Sequence, residues 1–307
     1  MKEYVLQTEN LTKKYKDFYA LQNVSVKLLK GRIYGLIGKN GAGKTTFMRL
    51  ISGLGFPTQG TIKLFEYDEK KELKKGLRRV GTLIEYPGLD EKMTAEQNLR
   101  VHRIIRGIPD ESLEKNLLEM VGLSNCEGKK VKNFSLGMRQ RLGIAIALIT
   151  SPELLILDEP INGLDPVGVV EIRNLIKKLS EEHNITVLIS SHNLPELYQL
   201  ATDYIIIDHG SVKQEISLEE LDERCQHFIK IECREPERLV RIIETKLNTT
   251  AFKVMPDKSI RLYAYTQNRE TVAKTIIEEG IIPLTFSMEG DTLENYFLSV
   301  IGGGEND

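Results

Sequence analysis

Residues 38–46 constrain this chain more than any other segment, since they read Gly-Lys-Asn-Gly-Ala-Gly-Lys-Thr-Thr. They match the pattern G-x-x-x-x-G-K-[ST], in which a glycine-rich loop surrounds phosphate oxygens with backbone N–H donors. The apolar run at 33–37 before the loop predicts a buried strand, and the run at 47–51 after it predicts the start of a helix. A glycine-rich turn without a ligand is the alternative, but strand, loop and helix in this order favour a nucleotide phosphate site.

The residue types in this loop have chemical reasons. Glycine lets the backbone approach phosphate oxygens without a clash of Cβ, and the N-terminus of the following helix adds a favourable dipole. Lys44 is expected to bridge the β- and γ-phosphates, and the Thr45 hydroxyl is expected to bind Mg²⁺. The residues predicted to contact the nucleotide here are Gly38, Asn40, Gly41, Gly43, Lys44, Thr45 and Thr46.

The composition argues against several classes of protein. The 307 residues carry a formal net charge of −2, so we expect no nucleic-acid-binding surface. The three cysteines, Cys126, Cys225 and Cys233, form no C-x-x-C pair and no even disulfide framework, which indicates a reducing compartment. No apolar run reaches the roughly 18 residues of a membrane span, and the N-terminus lacks a signal-peptide pattern. We expect a soluble chain with more than one domain.

A second anion site is predicted at a helix start near residue 135. Residues 94–123 have apolar positions at helical spacing and predict an all-helical insertion. After it, Ser135 is placed to cap an apolar helix, so its hydroxyl and the free N–H groups of the first turn would face outward. A plain capped helix is the alternative interpretation of this segment taken alone.

Two adjacent acids follow the apolar run 154–157, which predicts a central strand of a parallel sheet. Asp158 and Glu159 would emerge at the carboxyl end of that strand, where open α/β sheets bind ligands. Asp158 is expected to hold Mg²⁺ through water, and Glu159 to polarise the attacking water. Such acids are often only surface residues, but an upstream phosphate loop favours the catalytic interpretation.

Two further side chains are candidates for contact with the nucleotide. The apolar run 186–190 predicts another buried strand, and His192 follows its end, where the imidazole could hydrogen-bond the γ-phosphate. Tyr15, in a segment between two predicted antiparallel strands at 4–8 and 24–28, could stack on the adenine ring. Lone histidines and tyrosines are more often packing or surface residues. His192 and Tyr15 are therefore candidates only because the other motifs of a nucleotide site accompany them.

Taken in order, these motifs resemble the nucleotide-binding subunit of ATP-binding cassette (ABC) transporters over roughly residues 4–215. Tyr15 falls where that family has its adenine-stacking aromatic. The resemblance implies an α/β P-loop NTPase cassette at 1–215, with a mixed sheet core, an antiparallel β subdomain and a helical subdomain at about 88–150. The matching motifs are Walker A at 38–45, the signature at 134–138, Walker B at 154–158, the D-loop around Asp165 and the switch histidine His192.

The resemblance also implies partners and cofactors. In this family two cassettes pack head to tail, so Ser135 and Gly137 are expected to contact the γ-phosphate of ATP on the opposite subunit. The D-loop residue Asp165 is a further expected nucleotide-binding residue. A chain with one cassette then implies a homodimer or a close heterodimer. The expected cofactors are ATP and Mg²⁺, and the expected location is the cytoplasmic face of the membrane, as a peripheral subunit that drives a separate permease.

Two departures from the family pattern narrow the assignment. The signature has Leu136 and Met138 in place of glycine and glutamine, and Glu85 stands where the Q-loop glutamine is usual. A carboxylate there could still bind Mg²⁺, although it adds negative charge beside the triphosphate. Both features are similar to the bacitracin-resistance and lantibiotic-immunity branch, which implies expulsion of antimicrobial peptides by a permease, often of the ABC-2 type.

Several alternatives stay open at the level of the sequence. An ABC-2 exporter ATPase for another lipid or drug is one, and an ATP-binding switch without efficient hydrolysis is another, because Glu85 departs from the pattern. A translation factor usually has two cassettes and a charged linker, and a DNA-repair ATPase needs a long coiled-coil insertion. Neither feature is present in this sequence.

The remaining residues, 216–307, carry no recognisable catalytic motif. Their apolar pattern predicts the order strand, helix, strand, strand, helix, strand, followed by a helix at 292–301. That order indicates a small α+β accessory domain of the ferredoxin-like type. Its apolar face could pack on the cassette or form a dimer contact, and packing is the favoured interpretation.

Overall fold

The computed structural model describes residues 3–68, 72–225, 227–266, 268–290 and 293–302. The chain divides into two compact units, Met1–Leu218 and Glu219–Asp307. The predicted first residue of the last helix, Thr292, lies outside the described residues. Within the described part of the chain, no helix is both long and apolar enough to cross a lipid bilayer.

The first unit alternates strands and helices after an antiparallel start. Its strands are β1 (Tyr4–Tyr15), β2 (Phe18–Val24), β3 (Lys27–Leu29), β4 (Ile33–Ile37), β5 (Gln59–Leu64), β6 (Val80–Leu83), β7 (Leu154–Asp158), β8 (Thr186–Ser190), β9 (Asp203–Asp208) and β10 (Ser211–Ser217). Its helices are α1 (Lys44–Ile51), α2 (Leu73–Leu77), α3 (Ala95–Ile105), α4 (Leu113–Met120), α5 (Leu136–Leu148), α6 (Pro166–His183) and α7 (Leu194–Tyr198). Helix α8 (Leu218–Cys225) begins at the boundary between the units.

A six-stranded sheet forms the centre of the first unit, in the order β10-β9-β4-β8-β7-β6. Strands β6, β7, β8, β4 and β9 run parallel, and only the β9–β10 pair is antiparallel. Every residue of β4, β7 and β8 is buried, as expected for strands covered on both faces. The loops after β4, β6, β7 and β8 therefore meet at one edge of the sheet.

A second, antiparallel sheet contains β1 with β2, β3 and β5 as its partners. The predicted strand at 4–8 is only part of β1, which continues to Tyr15. The predicted strand at 24–28 is wrong as one unit, because β2 ends at Val24 and β3 begins at Lys27. The Thr8 hydroxyl spans this break: it donates to the Val24 carbonyl at 3.1 Å and accepts the Val26 N–H at 3.0 Å.

The helical insertion contains α3 and α4, as the apolar spacing predicted, and α5 follows it. Thr94 and Gln97 form a reciprocal capping box at the start of α3. Buried Arg103 of α3 donates from Nε to Glu114 of α4 at 2.8 Å, which pairs two charges that burial would otherwise penalise. Helix α6 starts at Pro166, because Asp165 caps it and proline suits the first turn of a helix.

The second unit has the predicted order of elements around its own core. Its elements are β11 (Phe228–Glu232), α9 (Pro236–Thr245), β12 (Phe252–Val254), β13 (Ile260–Leu262), α10 (Arg269–Glu278), β14 (Thr285–Glu289) and α11 (Leu293–Gly302). The strands form one antiparallel sheet in the order β12-β13-β11-β14. Ile229 and Ile231 of β11 pack with Leu239 of α9 and Ile276 of α10 in a separate apolar core.

Candidate functional site

The phosphate loop joins β4 to α1 and approaches neighbouring backbone closely at two glycines. A Cβ on Gly38 would overlap the carbonyl oxygen of Ile207, and one on Gly43 would lie 2.6 Å from that of Ala20. Gly43 also has φ of +108°, a conformation that L side chains rarely adopt. Only glycine fits either position, so close packing fixes the shape of the loop.

Lys44, the first residue of α1, turns its side chain back into the loop. Its side chain is only 7% exposed, and its ammonium donates to the carbonyl of Gly38 at 2.7 Å and to that of Lys39 at 3.3 Å. A buried cation next to the N-terminus of a helix attracts a polyphosphate. This arrangement agrees with the geometry that a phosphate loop requires.

A cavity of about 390 Å³ opens in front of this loop. One part of its wall is aromatic and the other is polar. The lining residues are Tyr15, Phe18, Ala20, Asn40, Gly41, Gly43, Lys44, Thr45, Thr46, Asp158 and Glu159.

The carboxylate of Asp158 at the end of β7 connects α1 to β8. Its Oδ2 accepts the Thr45 hydroxyl at 2.7 Å, and its Oδ1 accepts the Ser190 hydroxyl at 2.6 Å. Hydroxyl and carboxylate oxygens suit Mg²⁺, which usually combines one or two protein ligands with phosphate oxygens and waters. No cluster of three or more His, Cys, Asp or Glu side chains suited to a metal occurs among the described residues. The Thr45–Asp158 pair therefore fits a nucleotide-dependent Mg²⁺ site.

The carboxylate of Glu159 lies between two nitrogen groups of the site. Its Oε2 is 2.8 Å from Nδ1 of His192, and its Oε1 is 3.9 Å from Nζ of Lys44. A carboxylate only accepts hydrogen bonds, so Nδ1 of His192 carries the hydrogen in this contact. Glu159 has φ of +50°, and its N–H donates to the Ser190 hydroxyl at 2.9 Å, which orients the residue.

Tyr15 and Phe18 form the aromatic part of the cavity, and Phe18 belongs to no motif of the sequence. Phe18 pairs with Tyr15 across the β1–β2 turn, and both line the cavity. Directly opposite residues of an antiparallel pair place their side chains on the same face. Both rings are more than half exposed, at 51% and 64%, and Lys13 Nζ lies 4.9 Å from the centroid of the Tyr15 ring.

Glu85 lies after β6 and is not among the residues that line the cavity. Its Oε1 accepts a hydrogen bond from Nη2 of Arg49, on α1, at 2.6 Å. Its backbone adopts a positive φ of +65°. The predicted Mg²⁺-binding role of Glu85 stays a prediction.

Ser135 and Gly137 stand at the start of α5 and do not line the cavity of the phosphate loop. The hydroxyl of Ser135 accepts the Met138 N–H at 3.3 Å, so the predicted N-cap is confirmed. A Cβ on Gly137 would be 3.9 Å from Gly168 of α6, the helix that Asp165 caps. The signature residues and Asp165 thus lie beside each other at two helix starts.

The fold thus groups most of the predicted residues at one edge of the sheet, and it adds three that were missed. The missed residues are Phe18, Arg49 and Ser190. Ser190 is the last residue of the predicted strand that precedes His192. Its place at the carboxyl end of a buried strand could therefore have predicted that it belongs to the site. Phe18 and Arg49 carry no local signal, because their roles depend on a strand register and on a distant loop.

Comparison with known proteins identifies the family. The family model described as "ABC transporter" matches residues 21–162. The chain is 39% identical to the bacitracin transport ATP-binding protein BcrA of Enterococcus faecalis, over 98% of both chains. It is 41% identical to the protein of the same name from Bacillus licheniformis, again over 98% of both chains. A lantibiotic transport ATP-binding protein, SrtF of Streptococcus pyogenes, is 43% identical over 75% of this chain and all of its own length.

Comparison with solved structures identifies the same family. A dimeric post-hydrolysis state of the ATP-binding cassette MJ0796, bound to ADP and phosphate, has a TM-score of 0.63 and 28% identity over 69% of this chain and 98% of that chain. A nucleotide-free cassette from an ABC transporter has a TM-score of 0.65 and 26% identity over 72% of this chain and 94% of that chain. The chain therefore belongs to the ATP-binding subunits of ABC transporters, which are ATPases that use ATP and Mg²⁺, dimerise and act with membrane permeases.

Proposed function

We propose that two copies of this chain close on two ATP molecules, each bound to the phosphate loop of one copy and to Ser135 and Gly137 of the other. The proposal rests on one observation: within one chain, the phosphate loop and the signature residues do not line the same cavity. Lys44 and Thr45 line the cavity, whereas Ser135 and Gly137 do not. The MJ0796 cassette, which shares the fold, is dimeric with ADP and phosphate bound.

Within each site, the phosphate loop holds the nucleotide and the metal. Lys44 exchanges its carbonyl partners for the β- and γ-phosphate oxygens, and the loop N–H groups surround the phosphates. Thr45 and Asp158 would hold Mg²⁺, which supplies neutralisation of the phosphate charge when bound. Because Asp158 is only 6% exposed and has two hydroxyl donors, its position is fixed before the nucleotide binds.

Glu159 is the general base in this proposal, and His192 orients it. The Glu159 carboxylate can accept a proton from a water that attacks the γ-phosphate, because it lies next to Lys44, the γ-phosphate ligand. The Nδ1–H of His192 holds one oxygen of that carboxylate and leaves the other available. The imidazole of His192 also serves as the contact to the γ-phosphate.

The replacement Glu159→Gln tests the catalytic assignment. We expect the variant to bind ATP as the wild type does, to lose turnover by about 100-fold or more, and to accumulate as an ATP-bound dimer on gel filtration. Glu153→Gln is a control in the segment just before β7; its carboxylate pairs with Arg79 at 2.6 Å, away from the cavity. Turnover within about twofold of the wild type in Glu159→Gln would overturn the assignment of the base.

For the transported compound, we propose an antimicrobial peptide of the bacitracin or lantibiotic class, expelled by a separate permease with this chain at its cytoplasmic face. Support comes from the relatives, two of which are bacitracin transport ATP-binding proteins that match nearly the whole chain. A third is a lantibiotic transport ATP-binding protein. In this proposal most contacts with the transported peptide belong to the permease rather than to this chain.

Deletion of this chain in its host tests the substrate class. We expect a lower inhibitory concentration for bacitracin or for a lantibiotic, restored by the wild-type chain but not by Lys44→Ala, which removes the phosphate-loop cation. Unchanged sensitivity to every peptide would overturn the peptide proposal. Altered sensitivity to an unrelated lipid-like drug alone would point instead to another class of exported compound.

A further inference from the structure

We propose that Arg49 is a positioning residue, whose ion pair with Glu85 fixes residues 84–88, here called the 84–88 loop, against the helix that carries the nucleotide ligands. This inference rests on the proposed function, because it concerns how that site is held. Arg49 follows Thr45 by four residues, so both lie on one face of α1. The guanidinium therefore extends along the face of α1 that carries the metal ligand.

The ion pair is short, but the stability that it gives the fold is too small to explain why Arg49 and Glu85 are held together. The distance from Nη2 to Oε1 is 2.6 Å, and the side chains of Arg49 and Glu85 are 44% and 57% exposed. Exposed ion pairs contribute little to the free energy of unfolding. The backbone of Glu85 has φ of +65°, which is unusual for a residue with a Cβ and is often found where a side chain must be aimed. These features indicate a pair that sets the position of a functional carboxylate.

The other end of the 84–88 loop is held by packing against α5. A Cβ on Gly143 of α5 would lie only 2.8 Å from the Cβ of Pro87, so the loop approaches that helix as closely as glycine permits. Ser135 caps the same helix. The loop therefore joins α1, whose start holds Lys44 and Thr45, to α5, whose start presents the signature residues.

Neither Arg49 nor Glu85 lines the nucleotide cavity, so the ion pair acts on the direction of the Glu85 carboxylate and on the 84–88 loop rather than on the nucleotide itself. When the nucleotide binds at the start of α1, Arg49 keeps the carboxylate directed along α1 and holds the 84–88 loop to it. Loss of Arg49 should therefore slow the catalytic step more than it weakens ATP binding.

The test is a double-mutant cycle on the full chain, with ATP turnover and ATP affinity measured for each variant. We expect Arg49→Gln to lower kcat by about fivefold to tenfold and to change the Kd for ATP by less than about twofold. Arg49→Lys, which keeps the charge, should recover part of kcat. In the Glu85→Gln background, Arg49→Gln should have no further effect.

Arg32→Gln is the matched control. Arg32 is 45% exposed and donates from Nη1 to Asp203 at 2.7 Å, but it precedes β4, at the opposite end of the strand from the phosphate loop. We expect this control to have wild-type kcat. An equal kcat for Arg49→Gln and Arg32→Gln, or an undiminished effect of Arg49→Gln in the Glu85→Gln background, would overturn the inference.

Backbone hydrogen exchange at residues 84–86 and 88, the positions of this loop that carry an N–H, gives a second measurement that does not depend on hydrolysis. We expect faster exchange there in Arg49→Gln and Glu85→Gln, and wild-type exchange in Arg32→Gln. Equal exchange in all four proteins would overturn the positioning role. If the wild-type chain with its permease failed to hydrolyse ATP, the catalytic proposal would fail, while the exchange result would still decide the role of Arg49.

Discussion

Ser190 shows how much of the site depends on a single buried hydroxyl. It is fully buried, donates to Asp158 and accepts the N–H of Glu159, so it fixes the two adjacent acids at once. Because Ser190 holds both residues, the proposed Mg²⁺ ligand Asp158 and the proposed catalytic base Glu159 are positioned together. The serine side chain is small and polar, so it fits between the ends of two parallel strands and can bond to both acids.

Replacement of Ser190 by alanine should weaken both the fold and the catalytic step. We expect the free energy of unfolding in urea to fall by about 1–3 kcal/mol, because two buried polar groups lose their partner, and we expect kcat to fall with it. Ser112→Ala is the control, since its exposed hydroxyl bonds only the exposed side chains of Asp110 and Asn116 among the described residues, and it should change stability by less than about 0.5 kcal/mol. A Ser190→Ala protein with wild-type stability and kcat would contradict this account.

Phe18 should contribute to the affinity for the base of the nucleotide. Phe18→Ala removes one of two rings on the same face of the hairpin, so we expect ATP to bind about threefold to tenfold more weakly, while tripolyphosphate binds as before. Tyr19→Ala is the control, because the next residue of a strand points to the other face, where Tyr19 contacts Lys14. Calorimetric titration would measure each Kd; equal loss in both variants would exclude a specific contact from Phe18.

For single residues, the sequence was sufficient to predict those that belong to a motif with a known chemical role. Lys44, Thr45, Asp158 and Glu159 come together as the motifs predicted. Phe18 could not be selected, because only the pairing of Tyr15 with Phe18 places its ring in the cavity. The register of two strands decides this, and register depends on contacts that a local pattern does not contain.

Among the elements, α5 combines a structural cap with a proposed binding role. Its first-turn N–H groups have no partner inside the helix, and Ser135 satisfies that of Met138. The start of α5 also lies beside the start of α6, where Asp165 caps in the same way. The free N–H groups of the first turn of α5 favour an anion at that helix start.

The replacement Ser135→Asp separates these two roles. Aspartate caps helices as well as serine does, and its charge is favourable at a helix N-terminus, so we expect an unchanged or higher free energy of unfolding. The same charge would repel the γ-phosphate of the partner's ATP, so the ATP-dependent dimer of the Glu159→Gln background should not form. Ser135→Ala should instead lose about 1 kcal/mol of stability. Dimers of normal stability in Ser135→Asp would contradict contact with the phosphate.

At the scale of the whole molecule, the cavity that is proposed to bind ATP belongs to one of the two units. All residues that line the nucleotide cavity lie before Leu218, and the second unit has an apolar core of its own. The whole length of the lantibiotic transport relative SrtF corresponds to 75% of this chain. The boundary after Leu218 is therefore the natural place to divide the chain.

A chain that ends at Leu218 should still bind ATP. We expect its Kd for ATP to lie within about threefold of that of the full chain, because no residue that lines the cavity is removed. Lys44→Ala in the same shortened chain is the control and should abolish binding. An aggregated fragment, or one with a much higher Kd, would show that the second unit is needed for the first to fold.

The sequence by itself determined the family and the chemistry of the phosphate loop, since its motifs require particular residue types at fixed spacing. It also determined the order of elements in the second unit, because apolar periodicity is a local property. The tertiary structure decided the extent of β1, the break between β2 and β3, and the pairing of Arg49 with Glu85. Those features depend on which distant segments supply hydrogen-bond and charge partners, and such contacts exist only once the chain has folded.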